Sequence, residues 1–327
     1  MRRILECVTN FSCGRDEAVI EQICHSIESV DGVKVLNYDP GYATNRTVVT
    51  FAGEAEALCQ AAFQGVKTAA QLIDMREHHG EHPRLGATDV LPLIPLEGVS
   101  MEECAQLARE LAQRISQELL IPTYCYEHAA FREERRNLAR CRMGEYEALP
   151  QRVTSDDAPD FGAREFDEVI ARSGATNVGA RDFLVAVNFN LDTKDSSIAD
   201  AIAKDVRESS HRATSLKCCK AIGWFIEEYD KAQVSTNLTN ISTTPLHIAF
   251  EAISRLALKH GTRVTGTEII ALVPKRVLLD AGRHFADDGE KSLSEQALVD
   301  IAVERMNLSE LKPYHPKQRV IEYLMEK

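Results

Sequence analysis

From its first residue the chain sets out one short order of strand-like and helix-like runs, and further on it sets out the same order again. Ile4–Val8 reads as a strand, and Asp16 caps a helix to about Ser29. Val33–Tyr38 runs into a turn signature at Asp39-Pro40-Gly41, and the β-branched Thr47–Ala52 reads as the next strand. Between Glu54 and Ile73, apolar residues recur at helical spacing (Leu58, Ala61, Ala62, Val66, Ala69, Ala70). Val90–Ile94 closes the series as a strand. Ser100 and Glu103 form a capping-box pattern opening a helix to Leu119; Pro122–Tyr126 is strand-like, and Glu133–Met143 reads as a charged helix. The order returns after residue 180. Phe183–Asn190, a helix Ser196–Ser209 capped by Asp195, the strands Ala221–Ile226 and Ala232–Leu238, a helix from Thr244-Pro245 to Lys259, and the strand Arg263–Leu272 follow one another. Helices over Pro274–His284 and Ser292–Met306 complete the chain.

Twice, then, the order is β-α-β-β-α-β, the split ferredoxin-like unit. No sequence repeat at a fixed period accompanies it, so the architecture is repeated and the sequence is not. The expected fold is α/β of the α+β kind, with two ferredoxin-like subdomains, each a mostly antiparallel sheet with helices on one face. The stretch 150–180, rich in proline and glycine, is expected to connect them, giving subdomains of residues 1–180 and 181–327.

Charge limits the partners. With 38 basic against 50 acidic side chains the net charge is −12, the wrong sign for nucleic acid, whose binding is dominated by Lys and Arg contacts to phosphate. An anionic substrate would therefore need a local basic pocket. The nine cysteines are scattered, with no CxxC pair, which fits free thiols in the cytoplasm and leaves no thiolate zinc site. The opening MRRILECVTNFSCG lacks the apolar core of a signal peptide. No run approaches the roughly 18 apolar residues of a membrane span, so no membrane partner is expected.

The densest chemistry is Glu77-His78-His79-Gly80-Glu81-His82-Pro83-Arg84. His78, Glu81 and His82 match H-x-x-E-H, which leaves a metal-dependent hydrolase as one reading. That pattern needs a continuous helix, whereas Gly80 interrupts it and Pro83 pushes His82 toward extended backbone. The other readings are solvated loop histidines or a proton-handling histidine near neutral pH. His82 is the strongest candidate, because Pro83 restricts its backbone.

The segments ECVTNFSCG (Glu6–Gly14), TNRTVVTF (Thr44–Phe51), GEHPRLGATDVLPLIP (Gly80–Pro95), GEYEALP (Gly144–Pro150), PDFG (Pro159–Gly162), GATNVGARDFLVAVN (Gly174–Asn188), AIGWF (Ala221–Phe225), QVSTNL (Gln233–Leu238) and LVPKRVLLDA (Leu272–Ala281) resemble, in the same order, the formiminotransferase domain of formiminotransferase-cyclodeaminases. The resemblance spans essentially the whole chain. It implies two α/β subdomains with a substrate groove between them and a homodimer. It also implies transfer of the formimino group from N-formimino-L-glutamate to N5 of tetrahydrofolate, possibly polyglutamylated, in histidine degradation. Tetrahydrofolate would be the co-substrate, and no metal is expected. A separate cyclodeaminase would act downstream, since the chain ends at Lys327. The histidine of the GEHPR loop is catalytic in the family, which carries over to His82, and the folate-contacting stretch carries over to Gly162 and Gly174 at its two ends. A non-catalytic folate-binding paralogue is the remaining alternative.

The donor carries two carboxylates and an amidine carbon. Asp39 is a candidate partner for the amidinium or for orienting the histidine, and otherwise a turn former. Arg46 and Arg84 could each fork onto a substrate carboxylate or serve in a structural ion pair. Asn10 and Asn45 are candidate substrate hydrogen-bonders or turn residues. The polar QVSTNL strand is expected to face the groove.

Overall fold

The computed structural model describes residues 2–42, 44–80, 82–270, 272–286 and 293–326. Two compact units divide the chain at Arg181/Asp182. In the first, β1 (Ile4–Phe11), α1 (Glu17–Glu28), β2 (Val33–Gly41), β3 (Arg46–Glu54), α2 (Ala55–Leu72) and β4 (Thr88–Glu97) follow the expected order. They build the sheet order β2-β3-β1-β4, antiparallel throughout. After them come α3 (Met101–Leu119), β5 (Thr123–Glu127), α4 (Leu138–Cys141), α5 (Leu149–Arg152), α6 (Glu168–Ser173) and β6 (Thr176–Ala180). β6 inserts between β4 and β5, parallel to both, and extends the sheet to six strands.

Local chemistry sets the helix starts. The Asp16 carboxylate accepts the Val19 amide at the head of α1, and Ser100 and Glu103 complete a reciprocal capping box on α3. Each cap satisfies amide groups that the helix itself leaves without partners. The apolar stripes of α1, α2 and α3 then pack on one face of the sheet. Ile20, Ile23, Leu58, Val66, Leu111 and Ile115 meet Leu5, Cys7, Phe51, Leu91, Leu93 and Val178 in one buried core.

Three expectations are corrected here. Asp39-Pro40-Gly41 lies inside β2 and is not a turn. β2 is an edge strand, where a proline lacking its N–H can sit without removing an inner ladder bond. Glu133–Met143 is no continuous helix but a 3₁₀ turn (Glu133–Arg136) followed by the single turn α4. Its arginine turns inward: Arg135 is fully buried, with Nη1 2.6 Å from Asp160 Oδ1 and its guanidinium stacked on Tyr124. Residues 150–180 do not simply connect; they contribute the end of α5, all of α6, and β6.

The second unit runs β7 (Val185–Leu191), α7 (Ser196–Val206), β8 (Cys219–Ile226), β9 (Lys231–Leu238), α8 (Leu246–Lys259) and β10 (Val264–Ile269). Its sheet order is β10-β7-β9-β8, again antiparallel throughout. Asp195 caps α7 as expected. Thr244 does not cap α8: its hydroxyl donates to the Lys217 carbonyl at 2.6 Å, and Pro245 stands at the cap position. α9 (Lys275–Phe285), α10 (Glu295–Arg305), α11 (Pro316–Arg319) and α12 (Ile321–Met325) follow. Ser294 caps α10, and the expected start at Ser292 lies outside the described residues. In the QVSTNL strand, Gln233 and Ser235 share a face with Asn190 and Asn188, while Thr236 takes the opposite one beside Val187. All nine cysteines are free thiols. Among the described residues no helix is long and apolar enough to cross a membrane.

Candidate active site

The face of the first sheet turned away from α1–α3 carries one register row across all six strands. Asp39 of β2 pairs with Val48 of β3, Val48 with Asn10 of β1, and Asn10 with Val90 of β4. Val90 then pairs with Asn177 of β6, and Asn177 with Tyr124 of β5. Cross-strand partners point to the same side of a sheet, and so do residues two apart on one strand, so Arg46 shares this face with Val48. Several polar atoms here are buried without a partner among the described residues: Asn10 Oδ1, Asn177 Oδ1 and Arg46 Nε, with Thr88 Oγ1 at the start of β4. Buried polar groups are nearly always hydrogen-bonded, so these orphans set this face apart from the apolar face that packs on the helices.

The histidine loop arrives beside this face. His78 is buried, its Nε2 donating to the Asn45 carbonyl at 2.8 Å while its Nδ1 accepts from Arg84 Nε at 3.4 Å. Both ring nitrogens are spent, so His78 is not free to ligate a metal. Glu81 lies outside the described residues. Among the described residues no group of three or more His, Cys, Asp or Glu is arranged to hold one.

His82 differs. It is half-buried, and its Nδ1 donates to the Pro83 carbonyl at 2.6 Å. This leaves the Nε2 lone pair without a hydrogen bond among the described residues. Burial lowers its pKa below the ordinary histidine value, and the nearby Arg46 and Arg142 charges lower it further, against opposing pulls from the Pro83 hydrogen bond and from Asp89. Asp89 itself is fully buried, accepting the Leu85 amide at 3.0 Å and an Arg142 fork at 2.5 and 3.3 Å. Burial pushes that carboxyl up and the Arg142 fork draws it back down. Arg46 and Arg142 thus bring two cations close to His82 and Asp89 within an acidic chain.

The sequence comparisons agree along the chain's length. The formiminotransferase domain, N-terminal subdomain, matches residues 4–181, and the formiminotransferase domain matches residues 186–326. The chain belongs to the formiminotransferase domain family. It is 43% identical to formimidoyltransferase-cyclodeaminase of Rattus norvegicus over 99% of its own length, and it spans 60% of that relative. Glutamate formimidoyltransferase of Streptococcus pyogenes is 42% identical, with 91% of this chain and 100% of the relative covered. The protein of that name from Thermoplasma acidophilum is 40% identical, with 86% and 92% covered.

Within this formiminotransferase domain, the residues singled out from the sequence fall into two groups. Asp39, Asn10 and Arg46 share the orphan-bearing face, and His82 sits beside Arg46. Arg84 is 8% exposed, and its guanidinium is occupied by Glu147, Glu145 and His78, the ion-pair alternative of the sequence reading. Asn45 spends its amide on Gly14 N and the His79 carbonyl. Gly162 (φ +120) and Gly174 (φ +67) hold backbone that favours glycine, and the space of a Cβ is filled by Pro122 at Gly162 and by Leu85 and Gly86 at Gly174. Packing accounts for both. Asp89, Arg142, Asn177 and Glu147 went unnoticed in the sequence. The only signal for them was an acidic residue directly before an apolar run (Asp89) and the acidic pair in GEYEALP.

Proposed function

We propose that this chain transfers the formimino group from N-formimino-L-glutamate to N5 of tetrahydrofolate, giving 5-formiminotetrahydrofolate and L-glutamate. One observation carries the reading: His82, with its Nδ1 hydrogen fixed on Pro83 and Nε2 left to exchange a proton, lies within the field of an Arg46 whose Nε has no partner among the described residues. The glutamate formimidoyltransferases of Streptococcus and Thermoplasma, matched over most of their length, support the choice of substrates.

The chemistry follows from the groups present. N5 attacks the amidine carbon, forms a carbon–nitrogen bond and becomes positively charged in a tetrahedral adduct. His82 Nε2, neutral because its pKa is depressed, accepts the N5 proton. The imidazolium then returns a proton to the glutamate nitrogen as that carbon–nitrogen bond breaks and the other amidine nitrogen restores the double bond. General acid–base action of this kind contributes roughly 10²–10⁴-fold. Holding both substrates together contributes on the order of 7–11 kcal/mol. Arg46 is assigned to a donor carboxylate, Asn10 to a substrate N–H, and Asp39 to the amidinium. The folate, with or without a polyglutamate tail, is assigned to the orphan-bearing face, and Gly162 and Gly174 are kept as the two ends of the folate-contacting stretch by family resemblance alone. The reading includes a cytoplasmic homodimer, its product passing to a cyclodeaminase.

The decisive experiment assays formimino transfer by wild type and His82→Ala. Turnover is expected to fall at least about 10²-fold with folate binding retained. A variant within a few-fold of wild type defeats the assignment of His82, and an inert wild type that binds folate favours a non-catalytic paralogue.

A further inference from the structure

The histidine loop is held at both stems by residues that do not touch the His82 ring. At the first stem Asn45 adopts left-handed backbone (φ +46). Its carbonyl accepts His78 Nε2 at 2.8 Å, its Nδ2 donates to the His79 carbonyl at 3.1 Å, and its Oδ1 accepts Gly14 N at 3.0 Å. At the second stem the Arg84 guanidinium meets Glu147 through two bonds of 2.7 Å and Glu145 through one of 3.1 Å. The Tyr146 amide donates to the Arg84 carbonyl at 3.0 Å. Arg84 Nε, reaching His78 Nδ1, ties one stem to the other. His82 lies between them.

A loop side chain is only as well aimed as the backbone that carries it, and a misplacement of about 1 Å can cost on the order of 10²-fold in rate. We propose that Asn45 and Glu147 are positioning residues for the transfer, holding the two stems so that His82 Nε2 stays at a fixed place beside Arg46. This rests on His82 being the proton carrier. Neither residue is needed to bind substrate, since the Asn45 amide is bonded at both ends and Glu147 is spent on Arg84.

The test measures kcat, KM for each substrate and folding for Asn45→Gly, Glu147→Gln and Glu147→Asp, each also combined with His82→Ala. Asn45→Gly keeps the left-handed backbone and the carbonyl bond to His78 while deleting both amide bonds. The expected result is a kcat lower by roughly 10–100-fold in Asn45→Gly and Glu147→Gln, with each KM within about twofold of wild type. Glu147→Asp recovers part of the loss, and neither substitution lowers the rate further once His82 is alanine. Asn45→Gly and Glu147→Gln within about twofold of wild type in kcat, or losses that add in full to His82→Ala, overturn the proposal, because a merely structural role would add. If Glu147→Gln does not fold, Asn45→Gly and Glu147→Asp decide. A wild type without turnover, or an active His82→Ala, removes the catalytic reading itself and this proposal with it.

Discussion

Arg84 and Glu147 meet fork to fork, Nη1 to Oε2 and Nη2 to Oε1 at 2.7 Å each, although they stand 63 residues apart in the chain. The guanidinium is buried and the carboxylate largely exposed. The planar arginine fork is what makes the pair bidentate, and lysine is a point charge that cannot reproduce it. Arg84→Lys is expected to destabilise the chain by about 1–2 kcal/mol, read as a lower urea midpoint with unchanged slope. An unchanged midpoint would show that the fork contributes nothing.

Burial and the Arg46 charge hold His82 below its ordinary pKa, and burial does the same to His78. Above about pH 6.5 these rings are neutral whether the chain is folded or not. Below that value the unfolded chain takes up protons first, so stability is present above it and falls as pH drops through the lower folded values. The acidic limb of kcat/KM should therefore lie below about 6.5. Arg46→Gln, by removing a cation, should move that limb upward. A limb that stays put would separate Arg46 from His82.

Arg46 is also assigned to a donor carboxylate. A hydrogen bond to a charged group contributes about 1.5–3 kcal/mol, so Arg46→Gln is expected to raise KM for N-formimino-L-glutamate roughly 10–150-fold. KM for tetrahydrofolate should change far less. Equal effects on both substrates would reject this placement.

Asp89 is fully buried against Arg142 and the Leu85 amide. Removing one partner of a buried pair strands the other, at a cost of about 3–5 kcal/mol. Asp89→Ala is expected to lose that much in denaturant unfolding, whereas Ser100→Ala, at the exposed cap of α3, should lose only about 1 kcal/mol and leave turnover intact. Similar losses in the two variants would refute the burial argument.

Some of this was legible along the chain. The two β-α-β-β-α-β orders, the Asp16 and Asp195 caps and the Ser100–Glu103 box are written in residues a few positions apart, and the structure reproduces them. The charged stretch after Glu133 misled for a definite reason: helical spacing of polar residues looks solvent-exposed, yet Arg135 is buried on Tyr124 and Asp160.

The sequence by itself determined the two β-α-β-β-α-β orders and the starts of several helices, since a cap and an apolar period depend on neighbours within about one helical turn. Tertiary structure alone decided that Asp39, Asn10 and Asn177 share one face, that β6 enters between β4 and β5, and that Arg84 joins Glu147 while Arg46 Nε finds no partner among the described residues. An arginine's own spacing does not encode which carboxylate the folded chain brings within reach; that depends on loops closing over tens of residues.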